Sequence, residues 1–220
     1  MAGMRFLSAV AFAAPLLALA TPALPQAKPM PGTIRVRLVT SSGPIVLALD
    51  GKRAPKTTAN FLKYVDDGRL DGTKFYRSAP RKGDPKHGFI QGGVGTDARR
   101  TLSPVVLEPT DKTGIRHLDG VVSMAHAADP NSATGNFSIM VGPNASLDAR
   151  GKYRGYAAFG KVVSGMEVVR KIMAMPTCCG REAMKGQMIK QPVRILRAQR
   201  LDGVARPTGL SKPWLINIRR

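Results

Sequence analysis

At 220 residues, the chain can bury a substantial core as one domain with short tails. A formal net charge of +20, from 34 Lys and Arg against 14 Asp and Glu, favours anionic partners and leaves paired-carboxylate hydrolysis little to work with. The two cysteines, Cys178 and Cys179, are neighbours, which rules out a stapling disulfide framework and gives no four-ligand zinc set.

In chain order, residues 1–27 read as a secretory signal peptide and its cleavage region. Arg5 supplies the positive start, Phe6 to Leu19 the apolar run, and Ala18, Ala20, Ala23 and Ala27 the small residues for cleavage. Pro15, Pro22 and Pro25 make this run too short and broken for a membrane span. The expected location is therefore periplasmic or secreted, with no membrane span after cleavage. Removing the signal takes away only Arg5 and leaves +19. Residues 28–32 form a Pro-bearing linker, and residues 33–203 the expected domain.

TIRVRLVTSSGPIVLALD alternates on both sides of a Ser-Ser-Gly-Pro turn, the pattern of a β-hairpin. Pro55 opens a helix in which Ala59, Leu62 and Val65 recur, with Phe61 beside them, and Gly68 stands at its C-terminal cap. TKFYR and GFIQGG read as strands joined by a basic, Pro- and Gly-bearing loop from Ser78 to His87. VVLEP, GVVSMAH, NFSIMVG and YAAFGKVV read as further strands. MEVVRKIMAM then reads as a second amphipathic helix with Val168, Val169, Ile172 and Met175 on one side, and PVRILRAQRL as the closing strand. Residues 204–220 form a tail in which Trp214 to Ile218 could dock back on the core. About eight short strands with two helices and no repeat predict a mainly β fold, a closed antiparallel barrel capped by helices, with a sandwich left open by pattern alone.

Familiar chemistry is sparse. The three histidines, His87, His117 and His126, form no HExxH pair, and there is no GxSxG elbow or Walker loop. Nothing in the spacing supports a Ser-His-Asp site. Such a chain either binds a partner or catalyses by positioning and electrostatics, and no cofactor or metal is expected.

Several stretches together resemble the cyclophilin family of peptidyl-prolyl cis-trans isomerases. FYR at 75–77 is similar to the family's F-H-R strand, FIQGG at 89–93 to F-M-x-Q-G-G, and VVSMAHA at 121–127 to G-x-x-S-M-A-N-A. SATGNFSIMVG, SLD at 146–148 and YAAFGKVVSGMEVV follow in the family's order, so the likeness covers roughly Thr33 to Gly203. It implies a closed eight-stranded barrel with two helices. It also implies an enzyme that assists the folding of exported proteins, takes proline-containing polypeptides as partners, and works as a monomer without cofactor. Acidic clients or anionic surfaces are further partners that the charge allows, and export disfavours nucleic acid. A module that binds proline peptides with little turnover is the alternative.

By the same resemblance, Arg77 is the catalytic arginine and Gln91 lies beside it. Phe89, Ala125, His126, Ala127, Asn136, Ser138, Leu147 and Tyr156 are the implied substrate-binding positions. His126 stands for the family's Asn, Asn136 for its Gln, Ser138 for a pocket Phe, Ser146 for the Trp linked to cyclosporin binding, and Tyr156 for its His. Phe89, Phe137 and Tyr156 are the candidates to refill the wall left thin at Ser138.

Overall fold

The computed structural model describes residues 31–216. The signal-peptide reading of residues 1–27 and the last four residues of the tail lie outside them. The described residues form nine strands: β1 Thr33–Thr40, β2 Gly43–Asp50, β3 Lys74–Arg81, β4 Asp84–Gly93, β5 Val121–Met124, β6 Asn136–Val141, β7 Ala158–Ser164, β8 Thr177–Cys178 and β9 Met188–Arg200. The helices are α1 Pro55–Asp66, α2 Thr110–Thr113 and α3 Met166–Met173.

The sheet runs β1-β2-β7-β5-β6-β4-β3-β9, and β9 pairs back onto β1. Eight strands therefore close an antiparallel barrel, and the two-residue β8 hangs on β9. Closure removes the unpaired edges that an open sheet would expose. Inward alternation fills the interior with Val36, Leu38, Leu47, Ile90, Val122, Ile139 and Ile195. Phe61 of α1 meets Phe137 edge-on at 5.2 Å, and Phe75 meets the same ring at 5.6 Å. These buried rings supply both area and a preferred packing geometry.

Helix α1 packs on β2, β7 and β9, and α3 on β2, β3, β4 and β6. The buried face of α1 runs through Thr57, Thr58, Phe61, Leu62, Tyr64 and Val65, while Ala59 is exposed. The apolar stripe is thus rotated from the expected one toward the two rings, which bury more surface than an alanine. Gly68 has φ +69°, with the Gly68 and Arg69 amides donating to Val65 and Tyr64 carbonyls, a Schellman end.

Three local expectations need correction. VVLEP is not a strand; Val105 makes one isolated bridge with Ala133. Pro104 and Pro109 bracket it, and Glu108 is spent on α1, accepting from the Lys56 and Thr57 amides at 3.0 and 2.7 Å. That carboxylate caps a helix whose own N-cap, Ala54, has no side-chain acceptor. Second, residues 78–87 are largely not a loop. β3 and β4 continue through them as a hairpin that turns at Lys82–Gly83, where Gly83 takes φ +83°. Third, a one-turn helix, α2, stands where none was expected, too short for a periodic signal.

The tail does return to the core. Trp214 lies beneath two guanidinium groups, Arg69 at 4.7 Å and Arg100 at 5.3 Å from its ring centroid. Asp67 accepts from the Thr208 amide at 2.7 Å and hydroxyl at 2.6 Å, and from Arg69 Nε at 2.8 Å.

Candidate active site

The site lies on the outer face of the barrel, and the strand register builds it. Along β4, Ile90 points inward and is fully buried, so Phe89 and Gln91 point outward. Along β6, Phe137 and Ile139 are inward, which places Ser138 and Met140 outward. Register then sets Gln91 opposite Ser138, Phe89 opposite Met140, and Ser123 of β5 opposite Ser138. Arg77 pairs with Gln91, after a shift in register between Phe75 and Arg77. Without that irregularity, Arg77 would share the inward face of Phe75; the extra residue, Tyr76, turns it out.

Arg77, Gln91, Ser138 and Ser123 therefore form a polar row across β3, β4, β6 and β5. Phe89 and Met140 form an apolar row beside it. Together with Met124, Ala125, His126, Leu147, Tyr156 and Ala183 they line a cavity of about 300 Å³.

Arg77 is clamped from several sides. Its Nη1 donates to Gln91 Oε1 at 2.9 Å, its Nε to Gln187 Oε1 at 2.8 Å, and its Nη2 to the Ala183 carbonyl at 3.0 Å. The guanidinium carbon stands 5.1 Å from the Phe89 ring centroid, a cation-π contact. Burial pulls the Arg77 pKa down, against the pull of Tyr76 and Tyr156, but arginine starts so high that it stays charged. Burial also pushes the Tyr76 phenol, hydrogen-bonded with Gln91, up to about 12, so it stays neutral.

The far rim is a stack of His126 on Tyr156, with centroids 4.2 Å apart and planes 19° from parallel. His126 Nε2 lies 3.0 Å from the Gly155 carbonyl. The amides of Ala125 and Ala127 are already taken, by the Asn136 carbonyl and Ser132 Oγ, both at 2.9 Å. Among the described residues, the His126 amide is the one of the three with no internal hydrogen-bond partner.

Of the ten implied site residues, the fold brings eight to this cavity: Arg77, Gln91, Phe89, Ala125, His126, Ser138, Leu147 and Tyr156. Ala127 and Asn136 do not line it. The Asn136 amide is spent on Gly95, accepting from its N–H at 2.7 Å and donating to its carbonyl at 2.9 Å. Phe137 does not refill the wall at Ser138, because it points inward onto Phe61 and Phe75 and does not line the cavity. Met140 stands there instead. The same alternation that turned Ser138 outward could have found it. Ala183 and Gln187 carry no periodic signal, since they reach Arg77 from an irregular segment between β8 and β9.

Comparison with known proteins agrees with this geometry. The family model for cyclophilin type peptidyl-prolyl cis-trans isomerase/CLD matches residues 35–200. The chain belongs to that family. Peptidyl-prolyl cis-trans isomerase A of Dickeya dadantii is 43% identical over 145 residues, 64% of this chain and 72% of that protein. Peptidyl-prolyl cis-trans isomerase B of Escherichia coli is 35% identical over 163 residues, 71% of this chain and 93% of its own length. A cyclophilin type isomerase of Cryptosporidium parvum, solved by crystallography, shares the fold with a TM-score of 0.57 at 21% identity, covering 78% of this chain and 99% of that one. The cyclophilin barrel and its isomerase family are thus established for this chain.

Proposed function

We propose that this cyclophilin isomerises X-Pro bonds in exported polypeptides, with Arg77 as its electrostatic catalyst and residues 33–203 as its catalytic domain. The X-Pro bond resists rotation because resonance joins carbonyl and nitrogen, with a barrier of about 18–20 kcal/mol. Twisting breaks that resonance and returns electron density to the prolyl nitrogen. A fixed cation at the twisted bond lowers the barrier because it gains more from the twisted form than from either planar one.

The clamp on Arg77 carries this reading. Three of its five N–H donors are anchored by Gln91, Gln187 and Ala183, which leaves two for the substrate. The proline ring is assigned to the apolar wall of Phe89, Met140 and Leu147, and the His126 amide to the extended peptide backbone. Acidic clients suit the excess of basic residues, and the protein acts as a monomer in the periplasm or outside the cell. N-terminal sequencing of the exported protein tests the cleavage region.

A protease-free prolyl isomerisation assay on wild type and Arg77→Ala tests the catalytic role. Wild type accelerates exchange and the variant falls toward background; equal rates at background defeat the enzyme reading. A binding module with little turnover is the second reading. Ser138 favours it, because a ring is missing from the wall. Peptide affinity retained alongside background rates in both proteins would select it.

A further inference from the structure

Behind the cavity floor, three polar side chains are joined in line. His117 Nδ1 lies 2.6 Å from Asp148 Oδ1, and His117 Nε2 lies 2.8 Å from Ser123 Oγ. His117 and Ser123 are almost fully buried, at 1% and 2% exposure, yet Ser123 also lines the cavity. We infer that Asp148, His117 and Ser123 form a positioning relay that locks the floor of the proline pocket to its wall, a role that rests on the isomerase reading above.

The protonation pattern follows from chemistry. Burial lowers the His117 pKa, against Asp148, the charged neighbour that raises it, so the ring is neutral at pH 7. A neutral imidazole carries one N–H. Asp148, a carboxylate, can only accept, so that hydrogen sits on Nδ1. Nε2 is then bare and takes the Ser123 hydroxyl hydrogen. Ser123 has one proton and a second acceptor, the Ala157 carbonyl, but that lies at 3.4 Å and loses to the 2.8 Å bond. The serine hydroxyl is thereby held away from the pocket.

The backbone completes the lock. Asp148 Oδ1 also accepts from the His117 amide at 3.0 Å, and the His117 carbonyl accepts from Asn144 N at 2.7 Å. The Leu147 carbonyl accepts from Tyr156 N at 3.0 Å. One histidine thus ties the floor at Ser123 to the wall at Leu147 and, through it, to the rim at Tyr156. Ser123 also stands at the end of the row that leads through Ser138 and Gln91 to Arg77.

The same three residue types in this order invite a nucleophile reading, but an acyl-transfer site needs amide donors for the oxyanion. The amides next to Ser123 are committed: Met124 N donates to the Ala157 carbonyl and Ala125 N to the Asn136 carbonyl, both at 2.9 Å. Positioning is the role the geometry permits.

Imidazole ¹⁵N NMR on the wild-type protein reads the tautomer without turnover, so its failure is separable from failure of the isomerase reading. The expected result at pH 7 is a protonated Nδ1 and a bare Nε2 on His117; the reverse tautomer overturns the relay. In the isomerase assay, Ser123→Ala and His117→Leu are expected to lower kcat/KM by about 5–20-fold, the scale of one misplaced buried hydrogen bond. His117→Gln keeps an acceptor for Ser123 and is expected to stay within about 3-fold of wild type, without the wild type's fall in rate as His117 protonates at acid pH. Wild-type rates in Ser123→Ala, no rescue by His117→Gln, or labelling of Ser123 by a fluorophosphonate would each overturn it.

Discussion

Arg77→Lys separates charge from direction. Lysine keeps the positive charge but is a point charge on a flexible stem, whereas the arginine fork fixes its donors. Three bonds of 2.8, 2.9 and 3.0 Å hold that fork against Gln187, Gln91 and Ala183, and Phe89 supports one face at 5.1 Å. A lysine cannot satisfy three such acceptors and still present a donor to the prolyl group in a set direction. Removing one preorganised donor at a site of developing charge costs roughly 10²–10³ in rate, or about 2.7–4 kcal/mol. Retained charge places Arg77→Lys at the lower end, a loss of about 100-fold in kcat/KM, carried by kcat rather than KM. The assay is protease-free exchange of a prolyl peptide over a range of substrate concentrations, with circular dichroism to show that the fold persists. If Arg77→Lys keeps a third or more of the wild-type rate, a cation of any shape suffices and the clamp has no catalytic meaning.

Gln187→Ala removes one arm of the clamp and leaves the charge and Gln91 in place; kcat/KM is expected to fall about 5–10-fold, the scale of one net hydrogen bond, with the fold retained by circular dichroism. Phe89→Ala takes away both the cation-π support and the apolar wall, and peptide titration should show weaker binding by about 1.5–3 kcal/mol together with a slower turnover. Asp67→Ala strips Arg69 and Thr208 of their shared acceptor; leaving a buried arginine unpaired costs about 3–5 kcal/mol, and calorimetry should show a melting temperature lower by roughly 6–20 °C. Burial alone would raise the Asp67 pKa, but bonds from Thr208 and Arg69 outweigh it and leave it lowered. Its contribution is therefore complete above the unfolded carboxylate pKa and is lost as pH falls through the lower folded value, so the variant should lose that part of the acid denaturation profile.

The barrel was legible because alternation and turn residues recur at every strand that carries the core. Expectation and structure part where a side chain outside the segment decides. Val105–Leu107 is an apolar, β-favouring run, but Glu108 is committed to α1 and the flanking prolines starve the segment of donors. On α1, Leu62, Val65 and Phe61 are buried as expected and Ala59 alone is not, because the spacing admits it and only packing against Phe137 selects the ring. At the site, Arg77 and Gln91 belong to short motifs, while Met140 is marked only by the outward face it shares with Ser138 on β6. Gln187 and the His117–Asp148 pair were out of reach, because their significance lies in distances that no local pattern encodes.

The pairing of the first barrel strand with the last sets a timetable for the chain's own biogenesis. Val36 meets Arg200 across the closing seam. At about 5–20 residues per second, roughly 10–30 s pass between the synthesis of these two partners. Through most of that interval both edges of the β1–β2 hairpin are bare, because β2 waits for β7 and β1 for β9. A nascent molecule is then most exposed to pairing with another chain, and its safety depends on the last strand arriving before a stranger does.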